Sequence, residues 1–393
     1  MAFNIGTNNL ESYLVPLDYF VSGGLWGSGR NNNGQLGNGA TSLSQPVFVQ
    51  PVTGGTNWRY ISPSKANIGS TAGIKTDGTL WLWGRNDYGQ LGDNTSVAKS
   101  SPVQTISNGN NWNSVSFGQY HTAAIKTDGS LWLWGNNKYG QLGNNSGGTG
   151  VNSSSPVQTV AGGNNWIKVD CGWGFTMAIK TDGTLWGWGI NTSGQLGNNA
   201  SSNRSSPVQT VAAGTNWKLI SCGRLQSSAI KTDGTLWSWG QNNTGQLGDN
   251  TTTNRSSPVQ EITASTNWKL VSCSSYAFTA ALKTDGTLWL WGSNAYGQIG
   301  NNTSGQQYSS PVQEVTGGTN WRTVSTGSGH VSAIKTDGTL WTWGLNSFGQ
   351  LANNTFNNTS SPAQTAAGGT NWRLSNSGMY QTHAINLTWG SIT

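Results

Sequence analysis

A pattern that returns every 51 to 54 residues constrains the fold of this 393-residue chain more than any other feature. Each tetrad Lys-Thr-Asp-Gly leads into Leu-Trp-x-Trp-Gly, and a Gly-Gln-Leu-Gly string or close variant, a Pro and an Asn-Trp pair follow in that order. Self-similarity at a fixed period identifies a repeat architecture. Seven units are present: the tetrad begins at 75, 126, 180, 231, 283 and 335, the Gly-Gln string at 34, 89, 140, 194, 245, 297 and 349, and the Asn-Trp tryptophan lies at 58, 112, 166, 217, 268, 321 and 372.

Each unit has the pattern of four short strands and no helix. In the third unit, apolar runs over 176–180 and 185–188 flank Asp182-Gly183, and an Asp-Gly pair between two such runs is a strong hairpin signal. Pro156 opens a stretch that suits an outer strand, because Pro lacks the N–H that a central strand needs. The run over 166–171 supplies a fourth strand. The sequence therefore predicts an all-β, seven-bladed β-propeller with four antiparallel strands per blade.

The two ends of the chain carry complementary halves of one unit. The first unit lacks the Lys-Thr-Asp-Gly hairpin and begins at Leu25, and the last unit stops just after a run over 382–385. We therefore expect residues from about 370 to 390 to pair with those from about 20 to 53, which closes the ring and removes two free sheet edges. Trp389 also echoes the Trp strand, so either terminus could supply that strand. The domains are then an N-terminal arm over 1–19 and a propeller over 20–393.

These strings resemble the propellers of the regulator-of-chromosome-condensation family from about residue 20 onward. The resemblance implies the propeller fold, and the charge-poor repeats rich in Asn, Gly and Thr look more like the bacterial and phage members than the nuclear ones. The matching strings lie at 121–124, 128–132, 134–136, 140–143 and 220–223.

Composition argues against several classes of protein. Charged residues make up 9% of the chain, the net charge is +6, and no run of 18 apolar residues is present, so we expect no membrane insertion. The charges are scattered singly and form no basic stripe among aromatics, so nucleic acid is not an expected partner. No basic residue precedes Arg30, which argues against a signal peptide.

No residue set predicts catalysis, a metal site or a cofactor, so we expect a protein that is not an enzyme. The cysteines have neither disulfide nor zinc spacing and suit small buried positions on inner strands. The histidines are too few and too far apart for a catalytic site and suit strand ends. The repeated Trp residues are expected to pack the core, and the Lys-x-Asp pairs to form solvated hairpin tips. The cysteines and histidines are Cys171, Cys222, Cys273, His121, His330 and His383.

Candidate partner-binding residues lie in the short loop between the Cys strand and the next strand, where the units differ from one another. The family resemblance implies that this loop surrounds the axis on one face, which a secreted bacterial β-lactamase inhibitor of this fold uses to engage its target. Tyr, Trp and Arg are enriched at binding hot spots. A plant ultraviolet-B photoreceptor of the family senses light through Trp residues there, but this chain places only Trp173 in that loop, which argues against light sensing. The candidates are Tyr120, Trp173, Arg224, Tyr276, His330 and Tyr380.

The N-terminal arm supplies a second candidate contact. Its apolar side chains could pack across the propeller base or dock the disc into an assembly, and the candidates for docking are Phe3, Leu10, Tyr13 and Leu14.

The sequence thus favours a non-enzymatic interaction or structural module that binds protein or cell-surface partners. One form of that hypothesis is a phage virion component, a capsid decoration or a tail-associated protein, located in the virion or outside the cell after lysis. The alternative is a soluble, cytoplasmic regulator that resembles a nucleotide-exchange factor for a small GTPase. No residue indicates the oligomeric state.

Overall fold

The computed structural model describes residues 23–41, 44–65, 69–107, 109–148, 150–211 and 214–387. Every element in this part of the chain is a β-strand, and the strands form seven four-stranded antiparallel sheets, which confirms the predicted propeller. In chain order the strands are β1 (Gly24–Gly29), β2 (Gln45–Val49), β3 (Trp58–Pro63), β4 (Ser70–Lys75), β5 (Leu80–Gly84), β6 (Lys99–Gln104), β7 (Trp112–Phe117), β8 (His121–Lys126), β9 (Leu131–Gly135), β10 (Ser153–Gln158), β11 (Trp166–Cys171), β12 (Phe175–Lys180), β13 (Leu185–Gly189), β14 (Arg204–Gln209), β15 (Trp217–Cys222), β16 (Gln226–Lys231), β17 (Leu236–Gly240), β18 (Arg255–Gln260), β19 (Trp268–Cys273), β20 (Phe278–Lys283), β21 (Leu288–Asn294), β22 (Gln306–Gln313), β23 (Trp321–Thr326), β24 (His330–Lys335), β25 (Leu340–Gly344), β26 (Thr359–Gln364), β27 (Trp372–Ser377) and β28 (Gln381–Asn386).

Blades 1 to 6 are consecutive groups of four strands, from β3–β6 to β23–β26. The first strand of each blade contacts the first strand of the next, so these strands form the innermost ring around the axis. The Lys-Thr-Asp-Gly hairpins lie at one end of the strands, which we call the hairpin face. The loops between first and second strands, and the long loops before the outer strands, lie at the other end, the loop face.

Blade 7 joins the two ends of the chain in the order β2-β1-β28-β27. Strand β1 pairs with β28 along its whole length, with Trp26 opposite Ala384. The N-terminal part of the chain therefore supplies the Trp strand of the closing blade, which the sequence left open. The arm over 1–19 and Trp389 lie outside the described residues.

The Gly-Gln-Leu-Gly string is a clasp that hydrogen-bonds one blade to the next at six joints of the described propeller. In blade 3, the carbonyl oxygen of Gln195 accepts hydrogen bonds from Trp239 Nε1 at 2.9 Å and from Ser227 Oγ at 2.9 Å, both in blade 4. Gly197 ends the clasp at φ +66°, and a Cβ there would lie 2.8 Å from Trp239 Nε1. The buried tryptophans that donate to a preceding clasp are Trp83, Trp134, Trp188, Trp239, Trp291 and Trp343.

The aspartates of the hairpin tips are exposed, as expected of a solvated turn, whereas the lysines are half-buried and pack against tryptophan rings. Lys231 Nζ lies 4.9 Å from the ring centroid of Trp217 and 4.5 Å from that of Trp237, a double cation–π contact. Asp233 instead holds the turn, accepting from the backbone N and the Oγ1 of Thr235 at 3.0 and 2.7 Å. The same lysine clamp recurs at Lys75, Lys126, Lys180, Lys283 and Lys335.

The cysteines and histidines are buried between blades. All three thiols are free and buried, and burial raises the pKa of Cys171 to about 12. Nε2 of His121 lies 3.0 Å from Thr176 Oγ1 of the next blade, and His330 makes the same contact with Thr382. Burial lowers the pKa of His121, His330 and His383 to about 3.

Candidate interaction surface

The candidate loops surround the axis on the loop face because they follow the innermost strands. Most contain three or four residues, whereas the blade 1 loop is longer and carries Lys65. The described loops of blades 2 to 7 are 118–120, 172–174, 223–225, 274–277, 327–329 and 378–380.

Trp173 is the centre of one cluster on this face. Its ring is half-buried and lies 6.0 Å from the ring of Tyr139. The Arg224 guanidinium is exposed and lies 5.6 Å from the Trp173 ring centroid, while Trp173 N donates to the Arg224 carbonyl oxygen at 3.3 Å. The structure thus brings two predicted residues, from blades 3 and 4, into one contact.

The predicted tyrosines also lie in ring pairs. Tyr120 lies 4.7 Å from Tyr88, and Tyr276, which is 43% exposed, lies 5.8 Å from Tyr296. Burial, and then the nearby Tyr88 hydroxyl, raise the pKa of Tyr120 above its ordinary value.

Tyr380 completes the set in blade 7. Its ring lies 4.7 Å from Phe348, and the Arg30 guanidinium lies 5.3 Å from the Phe348 ring and 5.8 Å from the Tyr380 ring. Four aromatic pairs and two arginines therefore surround the axis on this face.

The sequence reasoning missed one half of each aromatic pair, although a signal was present. In four of the seven units the residue directly before the clasp is aromatic, and the clasp carries that ring beside an inner loop. The missed residues are Tyr88, Tyr139, Tyr296 and Phe348, together with Arg30, which follows the end of β1.

His330 differs from the other candidates because its side chain has no exposed surface. It begins β24 and points into the joint with blade 7, where Thr382 is its partner. We therefore leave His330 out of the surface. The arm candidates Phe3, Leu10, Tyr13 and Leu14 lie outside the described residues.

An ion pair crosses the axis at the loop-face end of the channel. Lys65 of blade 1 reaches Asp170 Oδ2 of blade 3 at 2.7 Å and the carbonyl oxygen of Cys222 in blade 4 at 2.9 Å. Asp170 also accepts from Ser116 Oγ at 2.7 Å and from Cys222 N at 2.7 Å. Burial by itself lowers the pKa of Lys65, but Asp170 outweighs it and holds that pKa above its ordinary value.

No group of three or more His, Cys, Asp or Glu side chains in the described part of the chain is arranged to hold a metal ion. Nor does this part of the chain contain a helix that is long and apolar enough to span a bilayer.

The model of the RCC1-like domain matches residues 24–385, nearly the whole described propeller. The chain belongs to the RCC1-like domain family. This confirms the resemblance drawn from the repeated strings, while a bacterial or phage origin is not shown.

Plant and animal relatives share part of this chain. The ultraviolet-B receptor UVR8 of Arabidopsis thaliana is 34% identical over 58% of this chain and 52% of its own length. The mitochondrial RCC1 domain-containing protein RUG3 of the same plant is 30% identical over 71% of this chain and 64% of its own length. The E3 ubiquitin-protein ligase HERC2 of Homo sapiens is 28% identical over 72% of this chain but only 6% of its own length. The matches thus span less than two thirds of each relative.

Solved structures share the fold at low sequence identity. Human WBSCR16 superposes with a TM-score of 0.82 at 17% identity, covering 94% of this chain and 100% of its own. Prp20p of Saccharomyces cerevisiae, described with its binding to Gsp1p and histones, gives 0.80 at 17% identity and covers 94% of this chain and 92% of its own. At such identities the likeness shows the fold alone.

The similarity to an ultraviolet-B receptor bears on Trp173. In the described part of the chain the ring contacts of Trp173 are with Tyr139 and Arg224, and the inner loops on either side carry Tyr120 and Arg224 but no tryptophan. The loop residues therefore continue to argue against a light-sensing Trp cluster.

Proposed function

We propose that this protein is a non-enzymatic interaction module whose loop face binds a protein partner. The observation that carries this proposal is the set of four aromatic pairs, with Arg30 and Arg224 lying over two of them, on one face of the disc. Aromatic and Arg side chains on a rigid support lose little conformational entropy on binding and dominate interface energies.

The electrostatics of this face favour an acidic partner surface. Arg224 is exposed, and both arginines lie against aromatic rings that limit the motion of the guanidinium. A carboxylate can pair with such a group in bidentate fashion. The binding of Gsp1p and histones by Prp20p supports a protein-binding use of this scaffold.

Site-specific photocrosslinking tests the assignment of the face. A photoreactive phenylalanine at Tyr276 would report contacts on the loop face, and the same group at Val315, exposed after an outer strand near the hairpin face, is the matched control. We expect a discrete crosslinked partner only from position 276, lost in a Trp173→Ala/Arg224→Ala variant that keeps its thermal stability. Equal crosslinking at both positions, or capture that survives the double substitution, would overturn the proposal.

The assembly in which the module works is a separate proposal. The polar, charge-poor repeats support a virion component, either a capsid decoration or a tail-associated protein, and mass spectrometry of purified particles would detect the chain in fixed stoichiometry. An entirely soluble cytosolic pool would contradict this location and favour the regulator alternative. Acceleration of nucleotide release from a small GTPase would then establish that alternative.

A further inference from the structure

A ring of cations surrounds the axis on the hairpin face, opposite to the proposed partner surface. Six of the seven innermost strands carry Lys or Arg at their second or third residue, while β7 has Asn113. Because these strands contact one another around the axis, the residues near their starts surround one mouth of the channel. Lys168 lies one position further along its strand than the other cations, opposite Ile179. The ring consists of Arg59, Lys168, Lys218, Lys269, Arg322 and Arg373.

Hydrogen bonds place two of the guanidinium groups at the inner edge of the ring. Arg59 Nη2 donates to the carbonyl oxygens of Trp112 at 3.0 Å and Asn113 at 3.3 Å, on the innermost strand of the next blade. Arg322 Nη2 donates to the carbonyl oxygen of Trp372 at 2.8 Å in the same way. Each arginine thus spans a joint between blades and presents its charge beside the axis.

The members of the ring repel one another. Burial, and then the charge of Lys218, lower the pKa of Lys168 to about 8. Burial, and then Arg373, lower the pKa of Arg322, and Asp337 opposes this effect. The hairpin carboxylates bond to their own turns, as Asp337 does to Thr339 at 2.7 Å. Partly desolvated like charges gain most from a multivalent counterion, because it relieves their repulsion.

The shape of the mouth favours a compact anion over a long one. At the loop-face end of the channel Lys65 and Asp170 bridge blades 1, 3 and 4. The channel that begins at the ring of cations is therefore crossed by an ion pair at its other end. Double-stranded nucleic acid needs a basic track along its backbone, whereas a ring lets several charges of one small ligand meet several cations at once. We propose that this ring is a binding site for a compact oligophosphate anion.

Calorimetric titration with inorganic tripolyphosphate tests the site. Lys218 and Lys269 are exposed members of the ring, and Lys138 and Arg204 are exposed cations of the loop face. The variants Lys218→Gln/Lys269→Gln and Lys138→Gln/Arg204→Gln lose the same net charge. Comparing them therefore distinguishes a local binding site from a general electrostatic attraction of the protein for anions. We expect the dissociation constant to rise roughly tenfold or more in the first pair and less than about twofold in the second, with weaker binding at about 0.15 M salt.

Protection from lysine acetylation locates the ligand independently of affinity. With tripolyphosphate bound, Lys168, Lys218 and Lys269 should acetylate more slowly while Lys138 is unchanged, as measured by peptide mass spectrometry. Equal loss of affinity in both charge-matched variants, or no selective protection, would overturn the site. Tighter binding of a short DNA duplex than of tripolyphosphate, abolished by the same ring substitutions, would replace the oligophosphate by nucleic acid.

Discussion

At one pair of facing positions on adjacent strands, the large and the small residue are interchanged between blades. In blade 1 the pair is Ala72 and Leu82, whereas in blade 7 the equivalent pair is His383 and Gly27. A Cβ on Gly27 would lie 2.9 Å from His383 Nε2, so the large residue has moved to the opposite strand. Met177 and Gly187 make the same exchange in blade 3.

The variant Gly27→Leu should destabilise the protein by about 2 kcal/mol through overpacking against His383, and His383→Ala by a similar amount through the cavity it leaves. The double variant recreates the Ala–Leu pair of blade 1, so its loss should be clearly smaller than the sum. Urea unfolding of the four proteins measures the coupling. Additive losses would show that the two side chains do not share one space.

Buried histidines make the folded state sensitive to acid. Their folded pKa of about 3 lies below the reference value of 6.5, so the unfolded chain binds more protons between these values. Above about pH 6.5 these histidines are neutral in both the folded and the unfolded chain, so they do not change the free energy of unfolding. As the pH falls toward 3, that free energy decreases by up to about 1.4 kcal/mol per pH unit for each histidine.

His121→Gln/His330→Gln should reduce this loss. Gln226 occupies the equivalent position in blade 4, and its Nε2 donates to Thr279 Oγ1 at 3.0 Å, so the chain already contains the proposed replacement. Unfolding free energies of wild type and variant should be similar at pH 7 and differ by roughly 4 kcal/mol at pH 5. An unchanged pH dependence would mean that other groups govern the acid response.

The clasp shows how an element and its neighbour are matched. In blade 6 the final glycine is replaced by Ala352, which is at φ +51° and buried. In blade 7 the position that holds the buried Trp in the other blades is occupied by Ser28. The alanine methyl group is tolerated at the joint that lacks the indole ring.

Gly197→Ala should therefore cost roughly 3 kcal/mol, because it adds a methyl group against Trp239 and a side chain at φ +66°. Ala352→Gly is the matched control and should change stability by less than about 1 kcal/mol. Thermal unfolding, together with hydrogen exchange at the joint between blades 3 and 4, distinguishes them. Equal effects at the two joints would show that contact with the indole ring is not the cause of the destabilisation.

At the scale of the whole molecule, the innermost strands are tied by a ring of hydrogen bonds between blades. In blade 2, Ser116 Oγ accepts from Cys171 N of blade 3 at 3.0 Å, and Ser221 accepts from Cys273 N at 3.0 Å in the same way. The joint from blade 7 to blade 1 cannot follow this rule because Pro63 has no N–H. There Asn376 replaces the serine and its Nδ2 donates to the carbonyl oxygen of Ile61.

Asn376→Ser should lower the free energy of unfolding by about 1 kcal/mol, since the closing joint loses its side-chain bond. Adding Pro63→Ala restores an N–H, so the double variant should regain about 1 kcal/mol of coupling after the cost of Pro63→Ala alone is subtracted. Chemical unfolding of the four proteins gives this coupling, and a value near zero would contradict the exchange of donor and acceptor.

The repeats determined the fold class, the number of blades and the strand order, because each unit buries its Trp, Leu and Ile side chains only by stacking on the next. The hairpin face and loop face follow from that strand order. The equivalent loops could therefore be assigned to one face, and Tyr120, Trp173 and Arg224 to that loop set, from sequence alone.

The tertiary structure alone decided which side chains meet. The pairs Tyr88 with Tyr120 and Arg224 with Trp173 join different units, and Lys65 reaches Asp170 two blades away. These contacts depend on how the blades pack around the axis, which no local sequence pattern encodes. Ring closure likewise decided the closing strand and the burial of His330, because a residue at a joint packs against residues of the neighbouring blade.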